Sequence, residues 1–120
     1  MKILLVEDHI PIQKALAKHM QKRGADVDKT ALGEVAIKLI LEHDYDKIIC
    51  DLGLPDIHGF DIIEEAKKKY SSGQIQQMFI IITAYSSAQV LEQAATYGCR
   101  LFAKPFDDVQ QVLDVFLEQK

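Results

Sequence analysis

The chain has 120 residues, 48% apolar and 27% charged, with a net charge of −4. That is enough for one domain with its own core, and the acidic balance argues against a nucleic-acid surface spread over it. The opening MKILLVEDH has a short apolar run cut off by two acids, too brief for a signal peptide or membrane span, so a cytoplasmic protein without membrane contact is expected.

In chain order, KILLV (2–6) is a continuous apolar run that predicts a strand. Residues 10–22 predict a helix, with Pro11 tolerated in the first turn and Ile12, Ala15, Leu16 and Met20 facing inward. ADVDKT (25–30) is a more polar strand that suits a sheet edge. A helix over 33–42 places Val35, Ala36, Leu39 and Ile40 inward. KIIC (47–50) is the third strand and 60–70 the third helix, closed by Lys67, Lys68 and Lys69, which complement a helix dipole better than they would bind phosphate. MFIII (78–82) is the fourth strand, followed by a helix over 88–97 that Gly98 terminates. RLFA (100–103) is the fifth strand. The last helix, 107–118, carries Val109, Val112, Leu113, Phe116 and Leu117 at amphipathic spacing.

Strands that are apolar throughout are covered on both faces. Five of them interleaved with five helices predict an α/β fold: a doubly wound, five-stranded parallel sheet with helices on both sides. Residues 1–120 read as a single domain. Cys50 and Cys99 fit no metal or redox spacing and are expected as free thiols, Cys50 inside a strand. The four histidines show no ligand spacing.

In such sheets ligands bind beyond the carboxyl ends of the strands. Glu7 and Asp8 follow the first strand, Asp51 the third, Thr83 the fourth and Lys104 the fifth. Each has an ordinary alternative: Asp8 or Thr83 as a helix cap, Lys104 as a surface lysine. Together they make an acidic rim with one ammonium and one hydroxyl. Crowded carboxylates raise one another's pKa unless a cation intervenes. Mg²⁺ suits a few carboxylates plus water, and the remaining groups suit an anion, so phosphoryl chemistry is expected.

ILLVEDH, DLGLPDIHG (51–59), IITAY (81–85) and AKPF (103–106) together make the chain resemble the receiver domains of two-component response regulators, over nearly its whole length. The resemblance implies a flavodoxin-like (βα)5 fold with strand order 2-1-3-4-5. It implies that Asp51 takes a phosphoryl group from a phosphohistidine on a sensor histidine kinase or histidine phosphotransfer protein. Mg²⁺ would be held by Asp8, Asp51 and the main-chain carbonyl of Gly53, with Glu7 acting through a metal-bound water. Thr83 would hydrogen-bond a phosphoryl oxygen and Lys104 pair with its charge, and the bond before Pro105 would be cis. Such a domain is a switch that promotes only its own phosphorylation and hydrolysis, not an enzyme with a separate substrate.

Two features depart from the family pattern. Glu7-Asp8 stands where two aspartates are common. The aromatic switch residue usual three positions before the lysine is Leu101 here, with Phe102 beside it; the expectation is Leu101 outward and Phe102 in the core. The output face would comprise the fourth helix, fifth strand and fifth helix, with Gln89, Glu92, Gln93, Arg100, Asp108, Gln111 and Asp114 exposed. The fourth helix has no Lys or Arg, so a charged dimer is not expected. Tyr85, two residues after Thr83, is expected to screen water from a phosphoryl group. The rival readings are a receiver excised from a longer protein, an aspartyl phosphatase, a flavin-binding module and a receiver that is folded but not phosphorylated.

Overall fold

The computed structural model describes residues 1–84 and 86–118. In chain order the elements are β1 (Lys2–Val6), α1 (Ile10–Lys22), β2 (Asp26–Thr30), α2 (Gly33–Glu42), β3 (Lys47–Asp51) and α3 (Gly59–Ala66). They continue with α4 (Ser72–Met78), β4 (Phe79–Thr83), α5 (Ala88–Tyr97), β5 (Arg100–Ala103) and α6 (Val109–Phe116). The strands form one sheet in the order β2-β1-β3-β4-β5. Every pairing is parallel.

Alternation along the strands divides the core in two. Leu4, Val6, Ile48, Cys50 and Ile81 face α2, α3, α4 and α5. Ile3, Leu5, Ile49, Ile80 and Ile82 face α1 and α6, where Leu16, Met20, Leu113 and Phe116 meet them. β4 is buried along its whole length. β2, with Asp26, Asp28 and Lys29, forms a charged edge that resists pairing with another sheet.

Among the described residues the helix count is six, one more than expected. The extra element, α4, starts in the serine- and glycine-containing stretch after residue 70. Ser71 accepts from the Gln74 N–H while the Gln74 side chain accepts from the Ser71 N–H, and this reciprocal cap makes a helix of a segment that composition reads as a turn. Met78 therefore ends a helix, and β4 starts at Phe79 and runs to Thr83. α3 stops at Ala66 and α6 at Phe116, both inside the expected spans.

Two helix faces are also rotated from expectation. On α1 the buried residues are Gln13, Leu16, Ala17 and Met20, while Ala15 is exposed. On α2 Ala36 and Ile40 are buried and Val35 is 41% exposed. In both cases the exposed apolar residue lies one step off the buried stripe.

The lysine run meets a helix terminus, though not mainly its own. Lys67 and Lys68 pair with Glu64 and Glu65 one turn earlier. Lys69 donates to the carbonyls of Ile40 and His43, closing the C-terminus of neighbouring α2. Cys50 is a buried free thiol and Cys99 a half-buried one. Among the described residues no helix is long and apolar enough to cross a membrane.

Candidate functional site

The strand register explains why distant residues meet. Val6 pairs with Cys50, so Glu7 falls level with Asp51. Asp51 pairs with Ile82, and Thr83 with Ala103, which sets Lys104 just beyond the rim. Glu7, Asp51 and Lys104 continue the alternation of Leu5, Ile49 and Phe102. They therefore turn toward the same side of the sheet, the side of α1 and α6.

The Lys104 ammonium lies 2.7 Å from Glu7 Oε1 and 2.8 Å from Asp51 Oδ2. Glu7 is completely buried and Asp51 only 4% exposed. Asp8 is exposed, yet one carboxylate oxygen from each of Glu7, Asp8 and Asp51 lies within 4.8 Å of the others. That donor set, hard oxygens open to solvent on one side, fits a small divalent cation. Gly53 sits in the loop after β3, and its N–H donates to Asp51 Oδ1 at 3.0 Å. Thr83 is buried at the end of β4, and its carbonyl accepts from the Lys104 N–H at 2.8 Å. The Lys104–Pro105 bond is cis, as the resemblance implies. Tyr85 lies outside the described residues.

Two carboxylates and one ammonium leave the pair one positive charge short. Burial pushes the Glu7 carboxyl up to about 7, and the neighbouring Asp51 adds to this. Burial also works against ionisation of Asp51, but hydrogen bonds from Glu7, Lys104 and the Gly53 N–H outweigh it and hold Asp51 below the usual carboxylate range. Burial of Lys104 is likewise outweighed by both carboxylates, which keep it firmly protonated. The opposite shifts make Glu7 the more readily protonated of the two and favour Asp51 as the ionised partner, the form in which a carboxylate is a nucleophile.

The β3–α3 loop is fixed at both ends. Gly53 and His58 form an antiparallel bridge. At its far side, Asp56 accepts from the Gly33 and Glu34 N–H groups at the start of α2. His58 caps α3, its Nδ1 accepting from the Phe60 N–H at 3.1 Å. Its ring packs 5.1 Å from Phe60, which lies 5.6 Å from Tyr97 on α5. The Tyr97 hydroxyl bonds to Glu64, and burial with that carboxylate pushes it up to about 12.

On β5 the outcome is divided. Phe102 packs on the α1/α6 side, its ring 5.9 Å from Phe116 and edge-to-face, in line with the expectation. Leu101 is not outward: it pairs with Ile81 and is half-buried against the opposite core, because α5 covers that face of the edge strand. Gln89, Glu92, Gln93, Arg100, Asp108, Gln111 and Asp114 are all exposed. Some are nonetheless engaged: Asp108 caps α6, Asp114 pairs with Arg23, and Arg100 with Glu118.

Sequence reading missed Gln13, Asp56 and His58. Asp56 acts on a helix 23 residues away and gives no local signal. Gln13 does give one, since residues 13, 16, 17 and 20 are the helical series that α1 buries.

The family model for the response regulator receiver domain matches residues 3–115. The response regulator ArlR of Staphylococcus saprophyticus is 31% identical over 107 residues, 88% of this chain and 46% of ArlR. The sensory/regulatory protein RpfC of Xanthomonas campestris is 26% identical over 106 residues, 88% of this chain and 15% of RpfC. The chain thus spans less than half the length of these relatives. Among solved structures, the non-phosphorylated HemR receiver domain of Leptospira biflexa superposes with a TM-score of 0.85 at 27% identity, covering 99% of this chain and 96% of that one. A five-stranded 2-1-3-4-5 sheet with an acidic rim defines the class. The chain belongs to the response regulator receiver domain family of two-component systems.

Proposed function

We propose that Asp51 is the phosphoacceptor and that the domain takes its phosphoryl group from a phosphohistidine on a sensor histidine kinase or histidine phosphotransfer protein. The reading rests on one observation above all: a nearly buried Asp51 with the Lys104 ammonium 2.8 Å away, at the rim where two further carboxylates converge.

Asp8, Asp51 and the Gly53 carbonyl would hold Mg²⁺, with Glu7 behind them acting through water. When bound, the ion supplies the positive charge that lets an anionic carboxylate approach an anionic phosphoryl group. An Asp51 oxygen attacks phosphorus and the P–N bond to imidazole breaks. The bonding pair stays on the imidazole nitrogen, and the product is an acyl phosphate on Asp51. Lys104 follows the phosphoryl charge, and Thr83 donates its hydroxyl to a phosphoryl oxygen. The remaining expectations belong to the same reading. They are a single receiver domain over 1–120 acting as a cytoplasmic switch and not an enzyme, with output through α5, β5 and α6. In it Leu101 and Phe102 stand where the family carries its aromatic switch.

The test is the intact-protein mass after incubation with a small phosphodonor and Mg²⁺, with EDTA and Asp51→Asn as controls. One phosphoryl adduct that needs Mg²⁺ and disappears in Asp51→Asn is expected. An adduct that persists in Asp51→Asn would overturn the assignment.

A further inference from the structure

Four polar side chains are buried among the described residues: Glu7, Gln13, Asp51 and Thr83. Three belong to the rim site. The fourth, Gln13, has no place in the chemistry proposed above, and it occupies a position on the inward stripe of α1 that an apolar residue would fill at lower cost.

Its side-chain amide reaches back to the site. Gln13 Nε2 donates to the main-chain carbonyl of Glu7 at 2.9 Å, a buried contact. That carbonyl and the Asp8 N–H belong to one planar peptide unit, so fixing the oxygen fixes the plane from which Asp8 departs. The surrounding bonds complete the clamp. The Glu7 N–H donates to the Thr30 carbonyl at 3.0 Å, and the Gln13 N–H to the His9 carbonyl at 2.9 Å. The His9 N–H donates to Glu7 Oε2 at 3.1 Å. Asp8 therefore sits between two held peptides. Its own side chain is exposed.

We infer that Gln13 is a positioning residue for the cation site: through the Glu7 carbonyl it orients the Glu7–Asp8 peptide and so aims the Asp8 carboxylate at the point shared with Glu7 and Asp51. This rests on the metal-dependent reading given above. A merely structural Gln13 would support the packing of α1 without any effect on metal affinity.

The experiment is a Mg²⁺ titration followed by amide NMR on the wild-type chain and on Gln13→Met, which keeps length and helix propensity but removes the donor. Thermal melts are recorded in EDTA. The expected result is a folded variant whose Mg²⁺ Kd is raised roughly tenfold, the lower end of what losing a partner behind a metal ligand costs. Its phosphoryl adduct should form more slowly at limiting Mg²⁺, with the deficit shrinking as Mg²⁺ is raised. If Gln13→Met does not fold, Gln13→Asn, whose amide falls one methylene short of the carbonyl, goes through the same titration with the same expected direction. A folded variant that binds Mg²⁺ as the wild type does overturns the inference, whatever its melting temperature. A wild-type chain that binds no Mg²⁺ overturns both this inference and the metal-dependent reading, so the two failures are distinguishable.

Discussion

Asp56 closes the start of a helix to which it does not belong: one carboxylate oxygen accepts the Gly33 N–H at 2.8 Å and the other the Glu34 N–H at 2.9 Å. Leu32, the residue that precedes α2, offers no side-chain cap. The loop that follows Asp51 is thereby tied to α2, and Ile57 fills the space a Gly33 side chain would need.

Replacing Asp56 with alanine should therefore lower the melting temperature although the residue is exposed. These two N–H donors hold the Asp56 carboxyl below its usual value. A depressed folded-state pKa gives stability that is present above the unfolded value and lost as pH falls through the folded one. The difference between wild type and Asp56→Ala in urea midpoint should narrow as pH is taken from about 5 toward 3. A difference that stays constant over that range would contradict the capping role.

Gly59 and Gly73 should respond to alanine in opposite directions. A Cβ at Gly59 would lie 2.6 Å from the Asp51 carbonyl oxygen and 2.7 Å from Leu52 Cα, both backbone atoms that cannot swing aside. Gly59→Ala should cost about 1–3 kcal/mol, the usual range for overpacking. At Gly73, within α4, a Cβ would meet nothing within 4 Å. Gly73→Ala should stabilise by about 0.4–1 kcal/mol through the unfolded chain. Urea denaturation of the two variants measures both.

Charge balance at the rim predicts a second opposition. Without a cation, Lys104→Met leaves Glu7 and Asp51 facing each other in a buried setting and should destabilise by about 3 kcal/mol. Asp51→Asn removes one of two carboxylates sharing one ammonium, and its amide oxygen can still accept the Gly53 N–H. It should match the wild type in EDTA or exceed it by about 0.5–2 kcal/mol, stability given up at a functional position. A strongly destabilised Asp51→Asn would mean that the pair is structural.

Cysteine reactivity follows from burial. The Cys99 thiol is pushed up to about 11, and fully buried Cys50 higher still. At pH 8 Cys99 should alkylate about a hundredfold more slowly than an unfolded control, because its thiolate is scarcer by that factor. A raised folded-state pKa also means that its contribution to stability is complete below about 9 and lost as pH rises through 11. Rapid native labelling at pH 8 would contradict this.

The sheet was legible because a strand covered on both faces must be apolar through its middle, and β1, β3 and β4 are. The rim was legible for the same reason in reverse: a run that ends on Glu7, Asp51 or Lys104 breaks its own apolar chemistry at the carboxyl edge of the sheet. α4 was not legible from composition, since Ser-Gly-Gln reads as a turn unless the Ser71–Gln74 box is recognised. Gln13 was lost by counting only apolar residues toward a helical stripe. Leu101 is expected outward as the alternate of Phe102, but the face to which that alternation turns it is covered by α5. Asp56 was beyond reach, because a cap donated across 23 residues exists only in the folded chain.

The rim also has an order of assembly. Its acids come from residues 7, 8 and 51, while its one ammonium comes from residue 104, just past the edge strand β5. During synthesis the acidic side is made first and its counter-charge last. A nascent chain that has emerged only as far as β4 carries the carboxylates without the lysine, so the partly made protein holds its negative charges uncompensated until the final strand docks.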